Sequence, residues 1–217
     1  MLNFLPRRLV PLAGAVLAAV LTLPAAGPEA ATVFVFDNGP DNRSQIERML
    51  DGRTLIVDGF DESFNTATGT GGTGNINQGN NGLGISGQPE SGRLAGGEAL
   101  RLTFDRDVRL NSLLIHESGR ENESFQLFGA NNQLLSSFVV SGAGRGRGDL
   151  FDGLGLVGST FTLVGTDPDG ADNRGIRLSA VTVSAVPLPG ALGLALGGLA
   201  VLGGFAWRRR ALGLTRA

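Results

Sequence analysis

Leu100, Leu102 and Phe104 alternate with Arg101 and Thr103, and Val108 and Leu110 carry the alternation on. A period of two sends successive side chains to opposite faces, so this stretch predicts a half-buried strand and not a helix. The same grammar recurs along the middle of the chain. Leu55-Ile56-Val57 and Leu113-Leu114-Ile115 are short buried runs, and Phe161, Leu163 and Val164 form another. Phe125, Leu127 and Phe128 lead into Gly129-Ala130-Asn131-Asn132, and Leu134-Leu135 and Phe138-Val139-Val140 follow, which predicts a hairpin. Ile176 to Val183 reads as the last strand, with a change of parity near Ala180 that predicts a bulge. One short helix is expected over Ser44–Leu50, where Ser44 and Glu47 have capping-box spacing and Ile46, Met49 and Leu50 share a side. Many short strands with Gly-rich turns predict an all-β, antiparallel β-sandwich, specifically a jelly roll of the galactose-binding type.

The two ends do not belong to that pattern. Arg7 and Arg8 precede an apolar run from Leu9 to Leu23, and small residues follow at Ala25, Ala26, Gly27, Ala30 and Ala31. This is the order of a secretory signal peptide, assigned to residues 1–31 and expected to be helical in its apolar part. At the other end, a second apolar run occupies residues 190–207 and Arg208-Arg209-Arg210 follows at once. At 1.5 Å per residue such a helix just spans a bilayer, and the arginines are expected to stay on the cytoplasmic side. Both signals place the residues between them outside.

The tail opens with Val186-Pro187-Leu188-Pro189-Gly190. The two prolines lack backbone N–H groups and disfavour helix in the residues before them, so they hold the junction extended. A short Pro motif, one apolar helix and a terminal Arg cluster resemble the PEP-CTERM sorting tails of Gram-negative bacteria, in their VPLPA-CTERM variant, with Gly190 where that family usually has Ala. The resemblance covers residues 186–217. It implies recognition by an exosortase-type membrane transpeptidase, anchoring in the inner membrane before processing, and cell-surface, outer-membrane or extracellular location after it. It also implies a setting of extracellular polysaccharide or biofilm matrix.

Between the ends lies an ectodomain, residues 32–185. It keeps 12 of the 18 arginines and 19 of the 20 acidic residues, a net charge of −7. An acidic domain does not suit the phosphate backbone, so no nucleic-acid partner is expected. The chain has no cysteine, which excludes disulfides, thiolate catalysis and zinc-thiolate or iron–sulfur sites. Residues 65–97 contain 11 Gly and five Asn. Ordering so many glycines costs more entropy than their few apolar neighbours repay, so a long loop is expected, pinned at Ile76, Leu83 and Ile85 and either a flexible excursion or a binding loop.

Several motifs invite chemistry. Asp167, Asp169 and Asp172 surround a Gly turn and are candidate Ca²⁺ ligands, since hard cations take oxygens from such loops; Asp, Pro and Gly are equally the residues of a β-turn. Glu117, Glu121 and Glu123 read as a solvated acidic turn. Gly69-Thr70-Gly71-Gly72-Thr73-Gly74 satisfies GxGxxG by letter, but no helix start follows it, as pyrophosphate binding requires. His116 is the only histidine and reads as a polar residue at a strand edge rather than a catalytic base for Ser86. Arg147-Gly148-Asp149 reads as part of a Gly-rich turn. With no Tyr, and with its one Trp at position 207, the domain lacks the aromatic platforms that many glycan sites use, leaving saccharide recognition to Asn, Asp and Arg.

Together these observations predict a non-catalytic, exported surface or matrix protein processed at its VPLP motif. The alternatives are a Ca²⁺-assisted carbohydrate-binding module and, more remotely, a carboxylate-based surface hydrolase.

Overall fold

In the computed structural model, strands run through almost every segment that the alternation marks. The structure describes residues 30–37, 39, 42–79, 81–86, 92–117, 123–140, 148–166 and 175–186. All of them fall in one unit, Pro28–Pro187. The predicted signal helix and the predicted membrane helix 190–207 lie outside the described residues. Among the described residues, no helix is long and apolar enough to cross a membrane.

The described residues form eleven strands: β1 (Thr32–Val35), β2 (Gln45–Leu50), β3 (Arg53–Phe60), β4 (Asn75–Gly79), β5 (Gly82–Ser86), β6 (Ala99–Glu117), β7 (Glu123–Gly129), β8 (Leu134–Val140), β9 (Gly148–Phe151), β10 (Leu156–Gly165) and β11 (Ile176–Ala185). Every strand pairing is antiparallel, so the all-β, antiparallel expectation holds.

The 19-residue β6 organises the sheet. Its first half, residues 99–104, lies between β3 and β10. Its second half lies between β11 on one edge and β10, then β9, on the other. Between the halves, Asp105, Arg106 and Asp107 are exposed, and the β6–β10 register jumps from Thr103↔Thr160 to Val108↔Gly158. Outward from β6 the sheet continues through β10 to β7 and β8, and through β11 to β5 and β4.

Alternation then does what it predicts. Leu100, Leu102 and Phe104 are buried, as are Leu55 and Val57 on β3 and Phe161 and Leu163 on β10. These side chains join one large core cluster with Phe34, Phe36, Ile46, Val108, Leu110, Phe125, Val181 and Val183. The opposite face carries Arg101 and Thr103 of β6 with Thr160 and Thr162 of β10. The parity change expected in the last strand is present: the β11–β6 register shifts between Leu178 and Ala180. The predicted hairpin is β7–β8, closed by Asn132 N–H to Gly129 C=O at 3.0 Å.

Two expectations are corrected. Ser44–Leu50 is not helical; Gln45–Leu50 is β2, paired residue for residue with β3. A one- or two-turn helix carries an unfavourable nucleus for few hydrogen bonds. The strand instead gains a full ladder and buries Ile46 opposite Val57, leaving Met49 and Leu50 exposed. Nor is 65–97 one long loop. It contains the β4–β5 hairpin, in which Ile76, Leu83 and Ile85 are fully buried. Each such side chain contributes roughly 1.5–3 kcal/mol on burial. The glycines permit close approach here: a Cβ on Gly84 would lie 2.3 Å from the Gly92 carbonyl oxygen. β1 also went unmarked by the sequence reading, although Phe34 and Phe36 alternate with exposed Val33 and Val35.

Candidate functional site

The outer face of the β3–β6–β10–β7 region is arranged in rows set by register. One row runs Gln45, Asp58, Arg101, Thr162, Phe128 across β2, β3, β6, β10 and β7. The next runs Ile56, Thr103, Thr160. The row on the other side, Phe60, Ala99 and Val164, joins Phe64 and Phe128 in a second, small apolar cluster. Phe64 belongs to the segment between β3 and β4, so that segment folds back over this face.

It does so as a tightly bonded turn. Asp61 accepts from the Ser63 amide at 2.9 Å and from its hydroxyl, and the Ser63 hydroxyl accepts from the Gly72 amide at 2.8 Å. Asn65 Oδ1 accepts from the Ala67 amide at 2.9 Å, and the Asn65 amide donates to the Thr70 carbonyl at 2.7 Å. The Ser63 hydroxyl is the main cause that holds the Asp61 carboxyl below its ordinary range. The GxGxxG letters, Gly69 to Gly74, end this turn and lead into strand β4, not a helix. No helix terminus is there to hold a pyrophosphate.

Between this turn and the β7–β8 turn lies an open cleft of about 290 Å³, lined by Thr68, Gly69, Arg101, Thr103, Gly129, Ala130, Asn132, Thr160 and Thr162. Threonines of β6 and β10 are its floor. Thr68 and Gly69 form one wall, and Ala130 and Asn132 the other. Arg101 is held by three contacts. Its Nη2 donates to the Gly69 carbonyl, and its guanidinium lies 4.6 Å from the Phe60 ring centroid and 5.9 Å from that of Phe64. An aromatic face attracts a cation at such distances. The cleft lining thus holds one cation, hydroxyls and an amide, and no carboxylate. Such a surface can donate to and accept from a ligand's hydroxyls.

Sequence reasoning missed this site. Arg101 and Thr103 entered it only as the polar beat of a strand, and Asn132 only as a turn residue. The available signal was the second alternation, Thr160 and Thr162 around Phe161, which marks another polar outer face. Nothing local says that the two faces adjoin.

The structure places the predicted residues as follows. Val186 follows the end of β11 and is partly buried. Pro187, Leu188, Pro189, Gly190, Arg208, Arg209 and Arg210 lie outside the described residues, as do Asp167, Asp169, Asp172 and Glu121. Among the described residues, no group of three His, Asp or Glu side chains is placed to hold a metal ion. Glu123 is a correction: it is buried at the start of β7, where its backbone pairs with Val140, and not on a solvated turn. Gly148 and Asp149 are also corrected, since they pair with His116 and Ile115 in the β9–β6 ladder rather than forming a flexible turn. His116 sits within β6 between Arg177 and Gly148. Its Nδ1 is buried and has no hydrogen-bond partner among the described residues, and burial holds its pKa below the ordinary value. The Ser86 hydroxyl donates to Asn42 Oδ1 at 2.9 Å.

The chain matches no protein-family model and no curated protein.

Proposed function

We propose that this is an exported, non-catalytic cell-surface or matrix protein whose β-domain binds extracellular saccharide in the outer-face cleft. The observation that carries the binding part is the lining itself: Thr103, Thr160 and Thr162 on adjacent strands beside a pinned Arg101. Hydroxyls on rigid strands, with the Asn132 amide on the adjoining turn, suit a polyol, which presents its own alternating donors and acceptors. A site of this size falls at the small end of ligand pockets, the scale of a sugar unit or two.

The export part rests on the two ends of the sequence. In this reading residues 1–31 direct secretion, the VPLP motif is processed by an exosortase-type transpeptidase, and the helix 190–207 with Arg208, Arg209 and Arg210 holds the chain in the inner membrane until then. The finer fold proposal is a two-layered sandwich joined through β6. Its support is that β3 pairs only with the first half of β6 and β11 and β9 only with the second, while the inward side chains of both halves share one core cluster.

Two measurements test the proposal. Mass spectrometry of the protein recovered from its native surface is expected to find a C-terminus near Pro187–Gly190; an intact Ala217 would overturn the sorting part. Titration of the full chain, in a neutral detergent, with saccharide oligomers is expected to shift resonances of Thr103, Thr160 and Asn132. Binding with those resonances unmoved would overturn the cleft.

A further inference from the structure

We infer that the cleft selects a carboxylated saccharide, a uronic acid unit, with Arg101 taking the carboxylate and the threonines taking ring hydroxyls. This inference rests on the reading of the cleft as a saccharide site and adds the charge of the ligand.

A guanidinium carries five N–H donors in a planar fork. Arg101 commits one nitrogen, Nη2, to the Gly69 carbonyl, and among the described residues it makes no ion pair. Its cross-strand neighbour on β3 is Asp58, but the Asp58 carboxylate accepts from Gln45 Nε2 at 2.7 Å, on the side away from β6. Among the described residues, no carboxylate takes the other donors of the fork. The cation is also immobilised, by the carbonyl and by the two rings. A positioned fork loses less entropy on taking a bidentate acid than a free surface arginine does.

The electrostatic setting confines such a contact to the cleft. The ectodomain is acidic as a whole, with a net charge of −7 over residues 32–185. That net charge works against an anionic polymer, as it does against nucleic acid, so its binding requires a locally cationic lining. The cleft lining, with its one arginine and no carboxylate, is a place where it is received. Hydroxyl recognition alone does not require a cation in the floor. A ligand that carries a carboxylate beside its hydroxyls uses every group the lining offers.

The test compares acid with ester on the full chain in a neutral detergent. The probes are tetragalacturonate and tetramannuronate and the methyl ester of each, followed by calorimetry and by resonances of the cleft residues. Both members of a pair have the same ring hydroxyls and differ in charge. The expected result is that one acid or both bind roughly tenfold or more tightly than the matching ester, with the difference shrinking as salt is raised. Arg101→Met keeps an apolar stem on Phe60 and is expected to weaken the acid far more than the ester, so that the difference between them disappears. Thr103→Val keeps the charge, and is expected to weaken acid and ester alike; it serves if the Arg101 variant proves misfolded by thermal unfolding. Equal binding of acid and ester would overturn this inference and leave the saccharide reading standing. Binding of neither would overturn both.

Discussion

Gly69 faces Asn132 so closely that a Cβ on Gly69 would lie 2.1 Å from Asn132 Oδ1. Both residues have left-handed backbones, with φ of 66° and 55°. The contact joins the turn after β3 to the turn between β7 and β8, and so forms one end of the cleft. Gly69→Ala meets two separate obstacles, the positive φ and the Asn132 amide. Its expected cost is about 1–2 kcal/mol, read as a lower urea midpoint with an unchanged slope. Adding Asn132→Gly is expected to recover the steric part and leave the backbone part. A double variant no more stable than Gly69→Ala would show that the two turns do not meet.

The inner face gives a contrasting pair. Val57, Leu102 and Phe161 form a cross-strand row, and each is at most 1% exposed. Leu102→Ala leaves a cavity that strands locked on both sides cannot close, with an expected loss of about 2–5 kcal/mol. Val157 lies on the same strand as Phe161 but is 53% exposed. Val157→Ala is expected to fall within about 0.5 kcal/mol of the parent. Equal losses for the two, measured by chemical denaturation, would contradict the assignment of faces.

The faces were legible in the sequence because period-two alternation is local, and so Leu100, Leu102, Phe104, Phe161 and Leu163 could be assigned inward before any pairing was known. The cleft was not legible because it depends on which strands adjoin. Arg101 meets Thr162 only through the β6–β10 ladder, and Gly69 meets Asn132 across 63 positions of chain. Residues 65–97 misled for a related reason. Glycine counts as lost entropy when read alone, and the backbone approach that Gly84 permits against Gly92 exists only in the folded sheet. At Ser44–Leu50 the local capping signal was present but lost to the β3 edge, which offered Ile46 a place opposite Val57.

His116 makes stability depend on pH. Burial lowers its pKa from the ordinary 6.5, and among the described residues its Nδ1 has no hydrogen-bond partner. The unfolded chain therefore binds a proton at a pH where the folded one does not. Stability contributed by the neutral ring is fully present above about pH 6.5 and is lost as pH falls from there toward the lower folded pKa. His116→Gln, which does not titrate, is expected to flatten that part of the profile. The measurement is the urea midpoint across pH 5 to 8, and an unchanged profile in the variant would refute the assignment.

The two bulges between β6 and β11 predict which deletions the fold tolerates. Val183 pairs with Leu110 and Thr182 with Ser112, so Asn111 has no register partner on β11. Val108 and Leu110 point inward before it, and Leu113 and Ile115 point inward after it. Removing Asn111 leaves regular alternation, in which Leu110, Leu113 and Ile115 all keep their faces. The expected cost is the Leu154 amide bond to the Asn111 carbonyl, 3.0 Å, the Ser184 hydroxyl bond to Asn111 Oδ1, 3.4 Å, and the extra bend, about 1–2 kcal/mol. Removing Leu114 does the opposite. It makes Leu113 and Ile115 neighbours, and adjacent residues of a strand cannot share a face. Whichever half of β6 holds its place, the other turns its buried side chains outward, and the loss of even one of them is worth about 2–5 kcal/mol. The Asn111 deletion is therefore expected to yield a cooperatively unfolding protein with slightly lowered stability. The Leu114 deletion is expected to yield none, as followed by circular dichroism during thermal unfolding. If the two deletions were equally mild, the register of the longest strand, and with it the outer face that carries Arg101, would have to be redrawn.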